Sequence, residues 1–164
     1  MGRSADFDAF YDATSRRVLH QLYALTGDLE QARQCTQEAY ARAWRQWPAV
    51  SAATSPEAWV RTTAWRLAPG RRIAVKRPAK RPSTRAARTP GGGSADLVAA
   101  LRKLPERQRY AIVARLIAGA AVADIATETG ASVATVENRL AKARATLARI
   151  LPDDTAVLTG GHRV

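Results

Sequence analysis

Residues 122–144 read VADIATETGASVATVENRLAKAR, and the punctuation inside this stretch decides the fold of the chain's second half. Residues 121–129 have the apolar spacing of a short helix and run into Gly130, the residue type that enters a left-handed turn without a Cβ clash. Ser132 then stands where a helix N-cap belongs, its hydroxyl placed to accept an orphan backbone amide. From there Val133, Val136, Leu140, Ala143, Leu147 and Ile150 recur at helical spacing and predict a second, longer helix over 133–150. Its opposite face carries Thr135, Glu137, Asn138, Arg139, Lys142 and Arg144. A short helix, a glycine turn and a longer capped helix with a polar, basic face make a helix-turn-helix. The competing reading is a helical hairpin with an ordinary solvated face, and Gly130, Ser132 and the basic bias argue against it.

The chemistry of that face suits duplex DNA. The major groove admits one helix, where Asn138 can pair with adenine, Arg139 or Lys142 with guanine, and Glu137 can accept from cytosine. Arg144 and Arg115 are placed for phosphates, which position a protein without specifying sequence.

Working outward, Asp96 caps a helix over 97–103, Pro105 opens another over 105–118, and Gly119 ends it. In the first half Phe7, Phe10, Tyr11, Val18, Leu22 and Leu25 predict an amphipathic helix over 6–26, stopped by Gly27. Asp28 caps the next helix, whose stripe runs from Leu29 through Cys35 and Ala43 to Trp47. Residues 48–55 read as a loop. Ser55, Pro56 and Glu57 then supply an N-cap, a proline at the first helical position and an acid at the positive helix end of a helix over 56–68. No strand alternation or repeat stands out, so the expected class is all-α.

From Pro78 to Ser94 the composition changes to prolines, arginines and Gly91-Gly92-Gly93, with no apolar side chain larger than alanine. Such a segment buries nothing and is expected to be a flexible basic linker over 78–95. It divides the chain into two small helical domains, 6–77 (a three-helix bundle) and 96–151, followed by a tail at 152–164 expected to be disordered. The formal charge is +12 and the pI about 11.1, which points to a polyanionic partner. Residues 59–95 hold ten arginines and lysines and no acid, so the charge is a block rather than a background.

Cys35 is the one cysteine, which excludes an intrachain disulfide and fits a reducing cytosol. No apolar run approaches membrane-spanning length and no signal-peptide core is expected, so membrane insertion is not. His20 and His162 are the only histidines, and no metal-ligand spacing, phosphate loop or nucleophile elbow calls for a cofactor, a metal or catalytic residues. A DNA-binding protein rather than an enzyme is expected.

Three blocks carry a family resemblance: 104–109 (LPERQR), 122–126 (VADIA) and 135–144 (TVENRLAKAR). Together they resemble region 4 of the extracytoplasmic-function sigma factors. The first half is similar to region 2 of the same family at Gly27-Asp28, at 37–40 (QEAY), at 42–44 (RAW) and at 58–61 (AWVR). The resemblance implies that region 4 reads the −35 promoter element, with residues 137, 138, 139 and 142 facing DNA. Glu137 replaces the usual basic residue, which implies an altered −35 preference. It further implies that helix 28–47 docks on core RNA polymerase, through Gln34, Gln37, Glu38, Arg42 and Trp44.

The resemblance also implies that region 2 captures unpaired −10 DNA. Trp59 and Trp65 offer faces for base stacking, with Arg61, Arg66, Arg71 and Arg72 as a backbone track. Trp44, Trp47 and Trp59 carry a core reading beside these roles. Implied partners are core polymerase, promoter DNA and an anti-sigma protein, in the cytoplasm at the nucleoid. A second reading stays open, a stand-alone regulator or degenerate sigma-like protein that binds DNA or a partner without initiating. Its motive is that 32–36 (ARQCT) lacks the family's acidic residues and that Arg66 and Pro69-Gly70 replace residues of the melting helix.

Overall fold

The computed structural model of the chain describes residues 2–69 and 92–151. Arg71, Arg72, the linker prolines and arginines and the 152–164 tail lie outside the described residues. Among the described residues there are eight helices and no strand. They are α1 (Gly2–Thr26), α2 (Leu29–Arg45), α3 (Trp47–Ser51), α4 (Pro56–Leu67), α5 (Gly92–Arg102), α6 (Glu106–Leu116), α7 (Val122–Thr129) and α8 (Val133–Ile150). None of the described helices is long and apolar enough to cross a membrane.

Local chemistry explains the boundaries. Gly27 ends α1 with φ of 70°, its amide donating to the Tyr23 carbonyl at 2.8 Å. Asp28 then accepts the Gln31 amide at 3.0 Å and starts α2, while Ser55 accepts the Ala58 amide at 3.2 Å and starts α4. Three elements run beyond the sequence expectation. Helix α5 begins at Gly92, inside the expected linker, so Asp96 lies within the helix rather than capping it. Helix α1 begins at Gly2 rather than residue 6, where Arg3 donates to the Trp44 carbonyl at 3.0 Å and lies over the Trp44 ring at 5.3 Å. Residues 48–51, expected as loop, join Trp47, expected to end the preceding helix, in the one-turn helix α3. Pro48 is pre-set for a helix start, and Trp47 and Val50 are buried beneath it.

The first four helices close around Val18, Leu22, Leu25, Ala39, Val60 and Ala64, all fully buried. Each buried Leu or Val of this kind contributes about 1.5–3 kcal/mol relative to exposure. One polar pair sits inside this core: the Thr14 hydroxyl donates to the Phe10 carbonyl at 2.7 Å, which leaves Tyr40 as donor in the 2.7 Å contact between their hydroxyls. Helices α5–α8 enclose Leu104, Ile112, Ile125, Val136, Leu140 and Leu147.

The sequence predicts two bodies joined by a tether, and the two sets of helices lie in direct contact. Helix α1 packs on α5 and α6. Arg109 of α6 donates to the Leu25 carbonyl at 2.9 Å, capping the end of α1, and to the Leu104 carbonyl at 3.1 Å. The Arg102 side chain fills the space that a Cβ on Gly27 would take. The buried residues of both halves form one continuous cluster.

Candidate nucleic-acid interface

The turn between α7 and α8 is built as its residues dictate. Gly130 adopts φ 62° and ψ 31°, the left-handed conformation, and the Ala131 amide returns to the Ala126 carbonyl at 3.0 Å. Ser132 Oγ accepts the Thr135 amide at 3.1 Å and fixes the first turn of α8. Arg115 reaches from α6 to the Ala120 carbonyl at 3.1 Å, so it braces the loop before α7 while its side chain stays exposed.

Helix α8 buries Val136, Leu140, Ala143 and Leu147 against the bundle. At about 100° per residue, Thr135, Asn138, Arg139 and Lys142 then share one strip, and Glu137 and Arg144 fall on the opposite flank. Thr135, Glu137, Asn138, Lys142 and Arg144 are exposed, and Arg139 is half-buried. The six residues read from sequence therefore present two edges of one helix, and the strip led by Asn138 is the one able to enter a groove as a unit.

The aromatic and basic residues of α4 are placed less uniformly. Trp59 is half-buried and Arg66 exposed, whereas Arg61 and Trp65 are 3% and 5% exposed. Arg61 points across the junction between the two sets of helices. Its Nη2 donates to Glu128 Oε1 of α7 at 2.6 Å, Nη1 to Gln21 Oε1 at 3.5 Å, and Nε to the Tyr110 hydroxyl at 3.5 Å. The Tyr110 hydroxyl donates in turn to Glu128 Oε2 at 2.6 Å. Burial pulls the Arg61 guanidinium down, but the charge and hydrogen bonds of Tyr110 and Glu128 outweigh it and leave Arg61 raised. Burial, then the Glu128 charge, push the Tyr110 phenol up. Trp65 lies against Tyr110, ring centroids 6.1 Å apart. In this arrangement neither Arg61 nor Trp65 faces solvent. Beside them opens a cleft of about 560 Å³ whose lining includes Arg66, Arg107, Thr135 and Arg139.

Helix α2 shows one outward face. Gln34, Gln37, Glu38 and Trp44 are exposed and Arg42 half-buried, while Ala32, Cys35, Ala39 and Ala43 point inward. Glu38 and Arg42 pair one turn apart at 2.9 Å, and Gln34 donates to Glu30 at 3.2 Å. Trp47 joins the core as read, but Trp44 is 41% exposed and packs its ring against Phe7 at 5.1 Å. Burial pushes the Cys35 thiol up, as befits an inert core residue. Among the described residues no cluster of His, Cys, Asp and Glu could hold a metal ion.

Two family models match the chain in tandem, "Sigma-70 region 2" over residues 10–69 and "Sigma-70, region 4" over residues 94–147. The chain belongs to the sigma-70 family. Its pairing of regions 2 and 4 is that of the extracytoplasmic-function sigma factors, and it is a sigma factor, a family of non-enzymatic transcription initiation factors. No curated protein matches the chain. Among solved structures it is similar to the sigma factor RpoE of Bartonella quintana in complex with the anti-sigma factor NepR. That match has TM-score 0.68 and 19% identity, over 91% of this chain and 98% of the other. A second, from a structure of an RsbN-BldN complex, has TM-score 0.34 and 25% identity, over 88% of this chain and 91% of the other.

In this sigma factor, regions 2 and 4 meet through residues that sequence reading did not single out. Glu128, Tyr110, Gln21 and Arg109 build the junction. The only local signals were a carboxylate at the end of the short helix and a tyrosine inside an apolar run. Neither announces a partner 67 residues away.

Proposed function

We propose that α8 reads the −35 element with the strip of Thr135, Asn138, Arg139 and Lys142. Glu137 and Arg144 serve the flank, and Arg115 a neighbouring phosphate. The observation that carries this reading is the exposed Asn138–Lys142 strip on the first half of a capped helix after a left-handed glycine turn. Region 2 takes the −10 element. Trp59 and Arg66 are accessible for it, Arg71 and Arg72 extend the basic track in sequence, and Arg61 and Trp65 contribute when the junction with region 4 opens. Catalysis has no part in the role.

The outward face of α2, with Gln34, Gln37, Glu38, Arg42 and Trp44, docks on core RNA polymerase. The functional units are 6–77 and 96–151, with 78–95 as a basic connector and 152–164 as a tail. An anti-sigma protein is a further partner in this reading, supported by the RpoE likeness, whose structure contains one. The site of action is the nucleoid in the cytoplasm, where promoter DNA and polymerase are.

Co-elution separates the two surfaces. With core polymerase on a sizing column, the double variant Gln37→Ala with Trp44→Ala loses co-elution while retaining binding to a −35 duplex. Asn138→Ala does the reverse. Loss of both functions in both variants would contradict the division of labour.

A further inference from the structure

The cleft of about 560 Å³ beside the turn of α7 and α8 falls within the range of small-molecule sites, about 300–1,000 Å³. Three helices each contribute one arginine to its lining, Arg66 from α4, Arg107 from α6 and Arg139 from α8. Arg66 and Arg107 are exposed and Arg139 half-buried, and none of the three makes an ion pair among the described residues. Their neighbours are engaged: Arg61 donates to Glu128 at 2.6 Å and Arg109 to the Leu25 carbonyl at 2.9 Å.

Two carboxylates share the lining. Glu128 is occupied by Arg61 and by the Tyr110 hydroxyl, each at 2.6 Å, and the charge of Glu106 acts on Arg109. The cleft therefore keeps an excess of positive charge, and guanidiniums around one space repel until an anion sits among them. Ser132 and Thr135 bring the positive end of the 18-residue helix α8 to the same lining. Their hydroxyls lie 2.8 Å apart, so one donates to the other and the second keeps a free proton.

Arginine forks and a helix N-terminus share one best-matched ligand group, phosphate, with several oxygens and more than one charge. Three arginines exceed what a single carboxylate can satisfy and call for a chain of phosphates. The volume leaves room for an organic part beyond them. We propose that this cleft binds a small molecule bearing a polyphosphate group, held by Arg66, Arg107 and Arg139. Its occupant takes Arg139 away from the recognition strip and so competes with −35 DNA. The competition rests on the −35 reading of Arg139, whereas binding itself is measured without DNA.

The test is calorimetric titration of the full chain with ATP, free of magnesium, at about 0.15 M salt, where diffuse attraction to a basic protein is screened. One site per chain is expected, and pyrophosphate is expected to displace ATP from it. Arg107→Ala, with its helical circular dichroism intact, is expected to weaken ATP about tenfold, the loss of one charge-assisted contact. Arg33→Ala removes the same charge from α2, outside this lining, and is expected to leave the affinity as it was. ATP is also expected to weaken binding of a −35 duplex to the parent protein, but about tenfold less effectively with Arg107→Ala. Failure to saturate, failure of pyrophosphate to displace ATP, or equal losses in Arg107→Ala and Arg33→Ala would overturn the site. ATP that binds without displacing the duplex would overturn the competition. A parent protein that binds ATP but no −35 duplex would instead count against the reading of α8.

Discussion

Asn138 and Lys142 stand one helical turn apart on the solvent side of α8, with Val136 and Leu140 buried behind them. A groove that accepts one accepts the other. Asn138 offers the amide pair that matches adenine, and Lys142 a point charge for guanine or phosphate. Replacing Asn138 by Ala is expected to cost about 1–3 kcal/mol at one base pair and to relax the preference there. Binding to a panel of −35 variants measures this, and an unaltered preference removes Asn138 from the base-reading set.

Lys142→Ala discriminates a phosphate from a base contact. If Lys142 meets phosphate, binding weakens evenly across sequences and the slope of log affinity against log salt falls by about one charge. A titration from low to moderate salt reads that slope directly.

The recognition helix depends on its start. Ser132→Ala removes the acceptor of the Thr135 amide and is expected to destabilise the protein by about 1 kcal/mol. Gly130→Ala meets no neighbour within 4 Å of the added methyl, so its cost is the left-handed backbone alone, about 1–2 kcal/mol. Urea denaturation measures both. A neutral Gly130→Ala would mean that the turn relaxes out of φ 62°.

Acid should weaken the first half through Glu57. Arg17 of α1 donates to both Glu57 oxygens, at 2.8 and 2.5 Å, and Gln21 donates at 3.2 Å. Hydrogen bonding from Arg17 outweighs burial and holds the Glu57 carboxyl below its ordinary 4.5. A group lowered in the folded state contributes stability that is present above its ordinary value and is lost as pH falls through the depressed one. Glu57→Gln is therefore expected to flatten the fall in melting temperature below about pH 4.5, and an identical acid limb in both proteins contradicts it.

At the alkaline end Tyr40 is the reporter. Burial raises its phenol to about 12, against the opposing hydrogen bond with Thr14. A raised phenol contributes stability that is full below its ordinary 10.0 and lost as pH climbs through about 12. Ultraviolet titration should show both Tyr40 and Tyr110 ionising late, and Tyr40→Phe should remove one of the two late steps and leave the other.

Legibility in the sequence followed the range of the interactions. Gly27, Asp28, Ser55, Gly130 and Ser132 act within a few residues, so their caps and turns could be read directly, as could the buried stripe of α8 from its periodicity, whereas the six polar residues read as one face divide onto two edges. Helix α3 was missed because the proline, small and polar residues of 48–55 look like loop, and only the burial of Trp47 and Val50 orders a turn there. The reading of Trp44 as core fails because Ala39 and Ala43 supply the inward stripe one side over, leaving Trp44 to pack sideways on Phe7. The junction is the deeper omission. Arg61 looked like one arginine among many, and its partner lies in the other region, beyond a segment that composition marks as a spacer. Pairing across such a distance is decided by docking of two surfaces, which no local pattern encodes.

The account stands most directly on run-off transcription with purified core polymerase and genomic promoter fragments. It predicts discrete transcripts that require this sigma factor, disappear with Asn138→Ala at the cognate −35 sequence, and begin downstream of a melted −10 element. A protein that binds the same duplex but yields no transcript and never associates with core polymerase would contradict it.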